Sequence, residues 1–310
     1  MPPTTNLIVI LGPTACGKTR LAAALAHHLK THIISADSRQ VYKRMNIGTG
    51  KDYEDYTINN QPIPYHLIDI LAPGERYNLH EFMRDFFAIF MQLQEQYLTP
   101  ILCGGTGLYI DSVLRNLNYA AVPNNHDLRK SISHLTHPDL LAYFNQIPKT
   151  DYTIKADLST QKRTIRAIEI THYLQDHILE KPTSPEIKPL IIGLDVSKEI
   201  RRQRITQRLQ NRLKNGLIEE VEQLLSEGVS HEQLQYYGLE YKFVSQFLLG
   251  LMSYEALEEL LNNAIQQFAK RQMTYFRKME KDGHMIHWID AAVGIDAQLK
   301  QVIVLLNGKN

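Results

Sequence analysis

Leu7-Ile8-Val9-Ile10-Leu11-Gly12-Pro13-Thr14-Ala15-Cys16-Gly17-Lys18-Thr19 decides the fold: an apolar run of strand length, a glycine-bearing loop, then a helical pattern from Arg20 through His28. A buried strand ends, the backbone turns and a helix begins, so backbone N–H groups and a helix N-terminus converge on one anion. Lys18 adds a point charge for the distal phosphates, and Thr19 offers a hydroxyl to Mg²⁺. Gly12, Pro13, Thr14, Ala15, Cys16, Gly17, Lys18 and Thr19 therefore read as a phosphate-binding loop for a group bearing a diphosphate or triphosphate, with Thr19 as the candidate metal ligand. The loop alone does not say what becomes of the phosphate.

Outward from the loop, His32–Ser35 and Pro100–Cys103 read as further strands, with a helix-patterned stretch from His80 to Tyr97 between them. This alternation predicts a parallel sheet wrapped by helices. The polar, proline-bearing stretch from Asn116 to Asp127 then leads into short helical segments, and no convincing strand returns until Pro189–Leu194. Everything after that strand reads as helices, first Lys198 to Leu225 and later Tyr254 to Lys281. The expected fold is α/β: a P-loop NTPase-like parallel sheet flanked by helices, with an inserted small all-helical domain. The predicted division is a core of residues 1–117 and 188–310 interrupted by a domain of residues 118–187.

With 310 residues, 44% hydrophobic and 22% charged, the chain has the composition of an ordinary soluble globular protein. A formal net charge of +1 gives no global attraction to nucleic acid, so any such binding must come from local patches. Cys16 and Cys103 cannot form a four-thiolate zinc site and do not make a Cys-x-x-Cys pair, which points to a reducing, cytoplasmic compartment. The first apolar run leads into the phosphate loop and reads as strand rather than signal peptide, and no segment has the length and apolarity of a membrane span.

Directly after the second strand comes Ser35-Ala36-Asp37-Ser38-Arg39-Gln40-Val41-Tyr42. In a doubly wound sheet the carboxyl ends of adjacent strands open onto one crevice, which places Asp37 near the phosphate loop. A carboxylate there holds a metal or takes a proton from an acceptor; the plain alternative is a helix N-cap. A second glycine turn, Gly104-Gly105-Thr106-Gly107-Leu108-Tyr109, lets the backbone approach closely at the same crevice, with the Thr106 hydroxyl directed inward. His66 has no partner fixed by spacing and reads as a core or loop histidine rather than a general base. Arg201, Arg204, Arg208 and Arg212 share one helical stripe beside Ile205, Leu209 and Leu213, either as a solvated basic face or as a helix that delivers an arginine to the anion. Lys162-Arg163-Thr164-Ile165-Arg166 and the cluster from Lys270 to Lys278 mix cations with aromatic or polar groups, a mixture that suits RNA phosphates and stacked bases but also an ordinary helix surface.

Taken together, these pieces resemble one family, the tRNA dimethylallyltransferases, which attach an isopentenyl group to an adenine beside the anticodon. The resemblance rests on Gly12–Thr19, Ser35–Tyr42, Asn46-Ile47-Gly48-Thr49-Gly50-Lys51, Gly104–Tyr109, Arg163-Thr164-Ile165-Arg166-Ala167-Ile168-Glu169 and Ala269-Lys270-Arg271-Gln272, in the family's order and over nearly the whole chain. It implies that the phosphate loop holds dimethylallyl diphosphate with Mg²⁺ at Thr19, while an adenine flipped out of the anticodon loop enters the same channel. The adenine N6 would attack C1 of the allyl group and diphosphate would leave. The expected target is the adenine 3′ of the anticodon in tRNAs reading codons that begin with U.

By the same resemblance, the catalytic residues are Asp37 as general base for the N6 proton, Thr19, and Arg208 steadying the leaving diphosphate. Ser38 and Gln40 match positions that read or place the target base, with Arg39 between them. Thr106 and Arg129 match tRNA-contacting positions, as do Arg271 and Gln272, and Lys162, Arg163, Thr164, Ile165 and Arg166 lie in the inserted domain that grips the anticodon stem-loop. The implied partners are that stem-loop and dimethylallyl diphosphate, with no membrane and a monomeric enzyme. Cys16 replaces a common serine, and Tyr237-Gly238-Leu239-Glu240 departs from the usual Gly-Tyr pattern. A Cys/His zinc module of the kind some eukaryotic members append is not found, which favours a bacterial-type enzyme. Competing readings are a P-loop kinase, which leaves the basic clusters without a role, a GTP-dependent RNA-binding switch, for which no Asn-Lys-x-Asp motif is present, and prenylation of free adenine nucleotides.

Overall fold

Leu7, Val9 and Leu11 belong to the apolar cluster on one face of their strand and Ile8 and Ile10 to the cluster on the other, and all five are fully buried. A strand covered on both faces belongs inside a parallel sheet layered by helices, which is why the run is apolar without alternation. The computed structural model describes residues 5–116, 118–154, 156–179 and 185–308. Its main sheet has six strands, all parallel, in the spatial order Tyr65–His66, Ile33–Ser35, Ile101–Gly104, Leu7–Leu11, Pro189–Asp195, Ile286–Asp290. Phe82, Phe86 and Phe90, from the helix Leu79–Glu95, pack in the first cluster; Leu21, Ala22 and Leu25, from the helix Lys18–Leu29, pack in the second. The expected α/β class is borne out.

Two expectations fail after the return strand. Ile286–Asp290 is a strand that pairs in register with Pro189–Asp195, although the whole stretch reads as helical. It is short and flanks the sheet, and its polar positions obscure the pattern, while a Cβ on Gly193 would collide with the Trp288 ring that packs there. The helix expected over Lys198–Leu225 is two, Lys198–Lys214 and Leu217–Ser226, broken at Gly216, whose φ of +102° leaves the helical region. Tyr65–His66 also joins the sheet, with two residues and no sequence pattern to announce it. Among the described residues no helix is long and apolar enough to cross a membrane.

The chain divides into two compact units, Met1–Arg115 with Glu186–Asn310, and Asn116–Pro185. The boundaries fall two residues earlier than the 118–187 read from sequence, and Leu117, at the expected junction, lies outside the described residues. The smaller unit carries helices His126–Ile132, His137–Gln146 and Gln161–Asp176 around Ile132, Leu140, Phe144, Ala167 and Ile168. At its centre the buried Glu169 carboxylate accepts two N–H bonds from Arg129, both 2.7 Å, one from the Asn125 backbone at 2.8 Å, and one from Arg166 at 3.3 Å.

Burial alone would raise the Glu169 pKa, but these donors outweigh it and hold the carboxyl below its ordinary range. A depressed folded-state pKa means that Glu169 stabilises the unit above its unfolded value of about 4.3 and loses that contribution as pH falls through the folded value. Glu169→Gln is therefore expected to flatten the acid-side loss of hydrogen-exchange protection in Gln161–Asp176. Equal acid losses in the variant and the parent would contradict this role.

Candidate active site

Gly17 precedes the helix Lys18–Leu29 in a left-handed conformation and offers no side chain to cap it, so the first helical N–H groups are left for an anion. Lys18 curls over the loop, donating to the Pro13 carbonyl at 2.8 Å. Cys16 is buried in the apolar cluster with Leu21 and Ile192, which explains why the loop accepts a thiol where serine is common: the side chain belongs to the core and is not needed at the cleft. Arg208 reaches from the helix Lys198–Lys214 to donate to the Thr14 hydroxyl. Burial, reinforced by repulsion from Arg212, pushes the Arg208 pKa down to about 10, so it remains a cation at neutral pH. The arginine stripe thus divides: Arg201 pairs with Asp195 and Arg204 donates to the Ala291 carbonyl, while Arg208 and Arg212 face the loop's cleft.

The cleft has a volume of 540 Å³ and is lined by Thr14, Ala15, Gly17, Lys18 and Thr19 at the phosphate end and by Asp37, Ser38, Arg39 and Gln40 beside them. Asp37 does not cap a helix; the residues after it form a turn, and its Oδ1 accepts the Arg39 N–H at 2.9 Å. The Asp37 carboxylate has no ion-pair partner among the described residues. Thr106 ties the two glycine-bearing turns together: its hydroxyl accepts the Ser38 N–H at 3.2 Å, and its own N–H donates to the Ala36 carbonyl at 3.2 Å. A Cβ on Gly104 would collide with that same Ala36 carbonyl, which is why the close approach needs glycine. Gln40 accepts from the Ser35 hydroxyl and donates to the Gly50 carbonyl at 3.0 Å, fixing its amide at the cleft wall. Tyr237, Leu239, Ile265, Phe268, Arg271 and Tyr275 also line the cleft.

Several residues matched by family resemblance occupy places that spacing did not foretell. Gln272 is 8% exposed and bridges the two phosphate-side loops, accepting from the Thr14 N–H and donating to the Gly105 carbonyl, both at 2.9 Å. It shapes the cleft rather than offering a free amide to RNA. In the smaller unit Thr164 is fully buried and bonded to the Leu158 and Thr160 carbonyls, Ile165 packs against the apolar cluster, and Arg166 donates to the Val122 carbonyl at 2.6 Å. With Arg129 on Glu169, that leaves Lys162 and Arg163 as the exposed cations of the cluster, Arg163 pairing with Asp157 at 3.0 Å. His66 is hydrogen-bonded to His32 at 2.9 Å and does not line the cleft, as the core reading expects.

Sequence reasoning missed Glu220. Its carboxylate gathers the backbone N–H groups of Asn46, Ile47 and Gly48 at 2.7, 2.8 and 3.0 Å, and accepts the Tyr241 hydroxyl at 2.7 Å. The loop it holds supplies Gly48, Thr49 and Gly50 to the cleft. A carboxylate at three successive N–H groups takes an anion's place in a backbone nest, but only the fold brings the two segments together. Glu220→Ala leaves those donors unmet, each at a cost of about 1–3 kcal/mol where buried. The expected result is faster amide exchange at 46–50 with a loss of activity, and unchanged exchange there would contradict the assignment.

The donor set fits Mg²⁺. This ion usually keeps several phosphate and water oxygens, and the cleft offers the Thr19 hydroxyl at the loop that would hold the diphosphate. Among the described residues no group of three or more His, Cys, Asp or Glu side chains is arranged as a dedicated metal cage.

Fold and cleft together define a phosphate-loop α/β protein whose anion site shares its cavity with a carboxylate. The IPP transferase family model matches residues 40–279 and the isopentenyl transferase model residues 5–59. The chain belongs to the IPP transferase family, and the resemblance carried by its motifs is borne out. It is 49% identical over 305 residues to tRNA dimethylallyltransferase 2 of Phocaeicola vulgatus, covering 98% of this chain and 99% of that one. With tRNA dimethylallyltransferase 2 of Porphyromonas gingivalis it shares 49% identity over 304 residues, 96% of this chain and 98% of the relative. The crystal structure of the tRNA isopentenylpyrophosphate transferase of Bacillus halodurans matches with a TM-score of 0.72 at 29% identity, covering 98% and 96% of the two chains. A eukaryotic dimethylallyltransferase acting on tRNA, 20% identical, shares the fold with a TM-score of 0.74 over 97% of this chain and 78% of its own.

Proposed function

We propose that this protein transfers the dimethylallyl group of dimethylallyl diphosphate to N6 of the adenine 3′ of the anticodon, in tRNAs reading codons that begin with U, giving N6-isopentenyladenosine and diphosphate. One observation carries the reading: the phosphate loop, Arg208 and the unpaired Asp37 carboxylate open onto a single 540 Å³ cleft. Diphosphate binds the loop amides, Lys18 and Arg208, and the prenyl chain finds an apolar surface at Ile265 and Phe268. The N6 lone pair forms the bond to C1 as the C1–O bond breaks, diphosphate leaves with that electron pair, and Asp37 takes the N6 proton. Negative charge growing on the leaving group meets cations already in place, the electrostatic form of catalysis. Mg²⁺, when bound near Thr19, neutralises part of the diphosphate charge.

The adenine reaches the cleft only when flipped from its stack, and Gln40, held at the cleft by Ser35 and Gly50, reads its edge with its remaining donor and acceptor capacity. Exposed Lys162, Arg163 and Arg271 supply phosphate contacts, so tRNA affinity should fall with salt. The enzyme acts as a monomer in the cytosol, beside its tRNA. The test is transfer of label from dimethylallyl diphosphate in the presence of Mg²⁺, with unmodified tRNA and free AMP as parallel acceptors. Label in tRNA alone supports the reading; label in AMP alone, or ATP turnover without RNA, replaces it.

A further inference from the structure

Arg212 lies one helical turn after Arg208 and lines the same cleft, yet no group among the described residues meets its guanidinium at hydrogen-bond distance. Its ion pairs are long, 3.7 Å to Glu240 and 3.9 Å to Asp52, and its side chain is 11% exposed. A guanidinium carries five donors in a fixed fork that matches phosphate oxygens two at a time. No nitrogen of the Arg212 guanidinium is buried without a partner, so the fork keeps its access to the cleft and its donors stay open to a phosphate. Gly50 makes room for it: a Cβ there would collide with the Arg212 fork. Arg208 and Arg212 repel each other, and an anion between them removes that repulsion.

Glu240 supplies the nearer of the two counter-charges to Arg212. Its side chain is 15% exposed and lines the cleft through the turn at Gly238, whose φ of +138° belongs to glycine. The stretch Tyr237–Glu240, which breaks the family's sequence pattern, therefore brings the carboxylate that this arginine needs.

We propose that Arg212 is a second anion-binding residue of the cleft, one that exchanges its loose pairing with Glu240 for the diphosphate of the substrate. The inference rests on the reading of the cleft as a prenyl diphosphate site. Two consequences have opposite signs, which separates it from a merely structural ion pair. Removing Arg212 removes a substrate contact, whereas removing the Glu240 charge removes a competitor.

The experiment is calorimetric binding of inorganic pyrophosphate with Mg²⁺, and KM for dimethylallyl diphosphate, on the full chain. Arg212→Gln is expected to weaken pyrophosphate about tenfold or more and to raise KM for dimethylallyl diphosphate while KM for tRNA holds. Glu240→Gln should bind pyrophosphate more tightly than the parent, and the double variant should behave like Arg212→Gln. Arg212→Lys, which keeps the charge and loses the fork, should fall between, and thermal melting of each variant reports on its fold. Equal weakening by both single variants with recovery in the double would make the pair structural and overturn the proposal. Parent protein that binds neither pyrophosphate nor dimethylallyl diphosphate would overturn the reading of the cleft itself, whereas a parent that binds and an Arg212→Gln that binds equally well would overturn only the role of Arg212.

Discussion

Asp37→Asn is expected to lower the single-turnover rate of prenyl transfer by about 10²- to 10⁴-fold, the usual cost of removing a general base, while both substrates still bind. The amide is isosteric and keeps an oxygen able to accept the Arg39 N–H, so the turn that places residue 37 survives. What it lacks is a group able to take the N6 proton as the new bond forms. Asp37 has no ion-pair partner among the described residues, so no salt bridge is broken by the change. Rapid-quench measurement with enzyme in excess over tRNA isolates the chemical step. A rate near that of the parent would remove Asp37 from the chemistry.

The second large effect is expected at Arg208. A charge-assisted contact is worth about 1.5–3 kcal/mol, or roughly 10- to 150-fold, and because diphosphate gains charge as C1–O breaks, the loss should fall more on kcat than on binding. The protein's own Thr14 hydroxyl holds the Arg208 guanidinium in the cleft, so it is preorganised and spends little on ordering against diphosphate. Arg208→Ala should fold normally, since its stripe neighbours Ile205, Leu209 and Leu213 carry the packing of that helix. Unchanged kcat with a raised KM would make Arg208 a binding residue without a transition-state role.

How much of this was legible in the sequence depended on whether the deciding contact was local. The Leu7–Leu11 strand, its loop and the following helix are fixed by neighbours within a few residues, and they read correctly. Ile286–Asp290 was not legible because a five-residue edge strand containing His287, Trp288 and Asp290 has no clear period, and only Pro189–Asp195 beside it makes it a strand. The basic cluster at Lys162–Arg166 reads as five candidates for RNA, but burial divides it: Thr164 and Arg166 complete the small unit's own hydrogen bonds, while Lys162 and Arg163 remain at the surface. Gln272 sits among cations in sequence and among backbone groups in space. Glu220 reaches the cleft's loop from a segment distant in sequence with nothing in its own neighbourhood to mark it, whereas Glu240 lies in a stretch whose departure from the family pattern was visible but whose partner, Arg212, was not.

The central claim is that one cleft joins dimethylallyl diphosphate to an adenine of tRNA. Its most direct test is to react the protein with dimethylallyl diphosphate, Mg²⁺ and an unmodified tRNA that reads a codon beginning with U, then digest the RNA and locate the product by nucleoside and fragment mass spectrometry. The account predicts a single added isopentenyl group on N6 of the adenine 3′ of the anticodon, absent when Asp37→Asn replaces the parent protein over the same interval. An isopentenyl group on any other nucleoside, or unmodified tRNA after dimethylallyl diphosphate has been consumed, would contradict it.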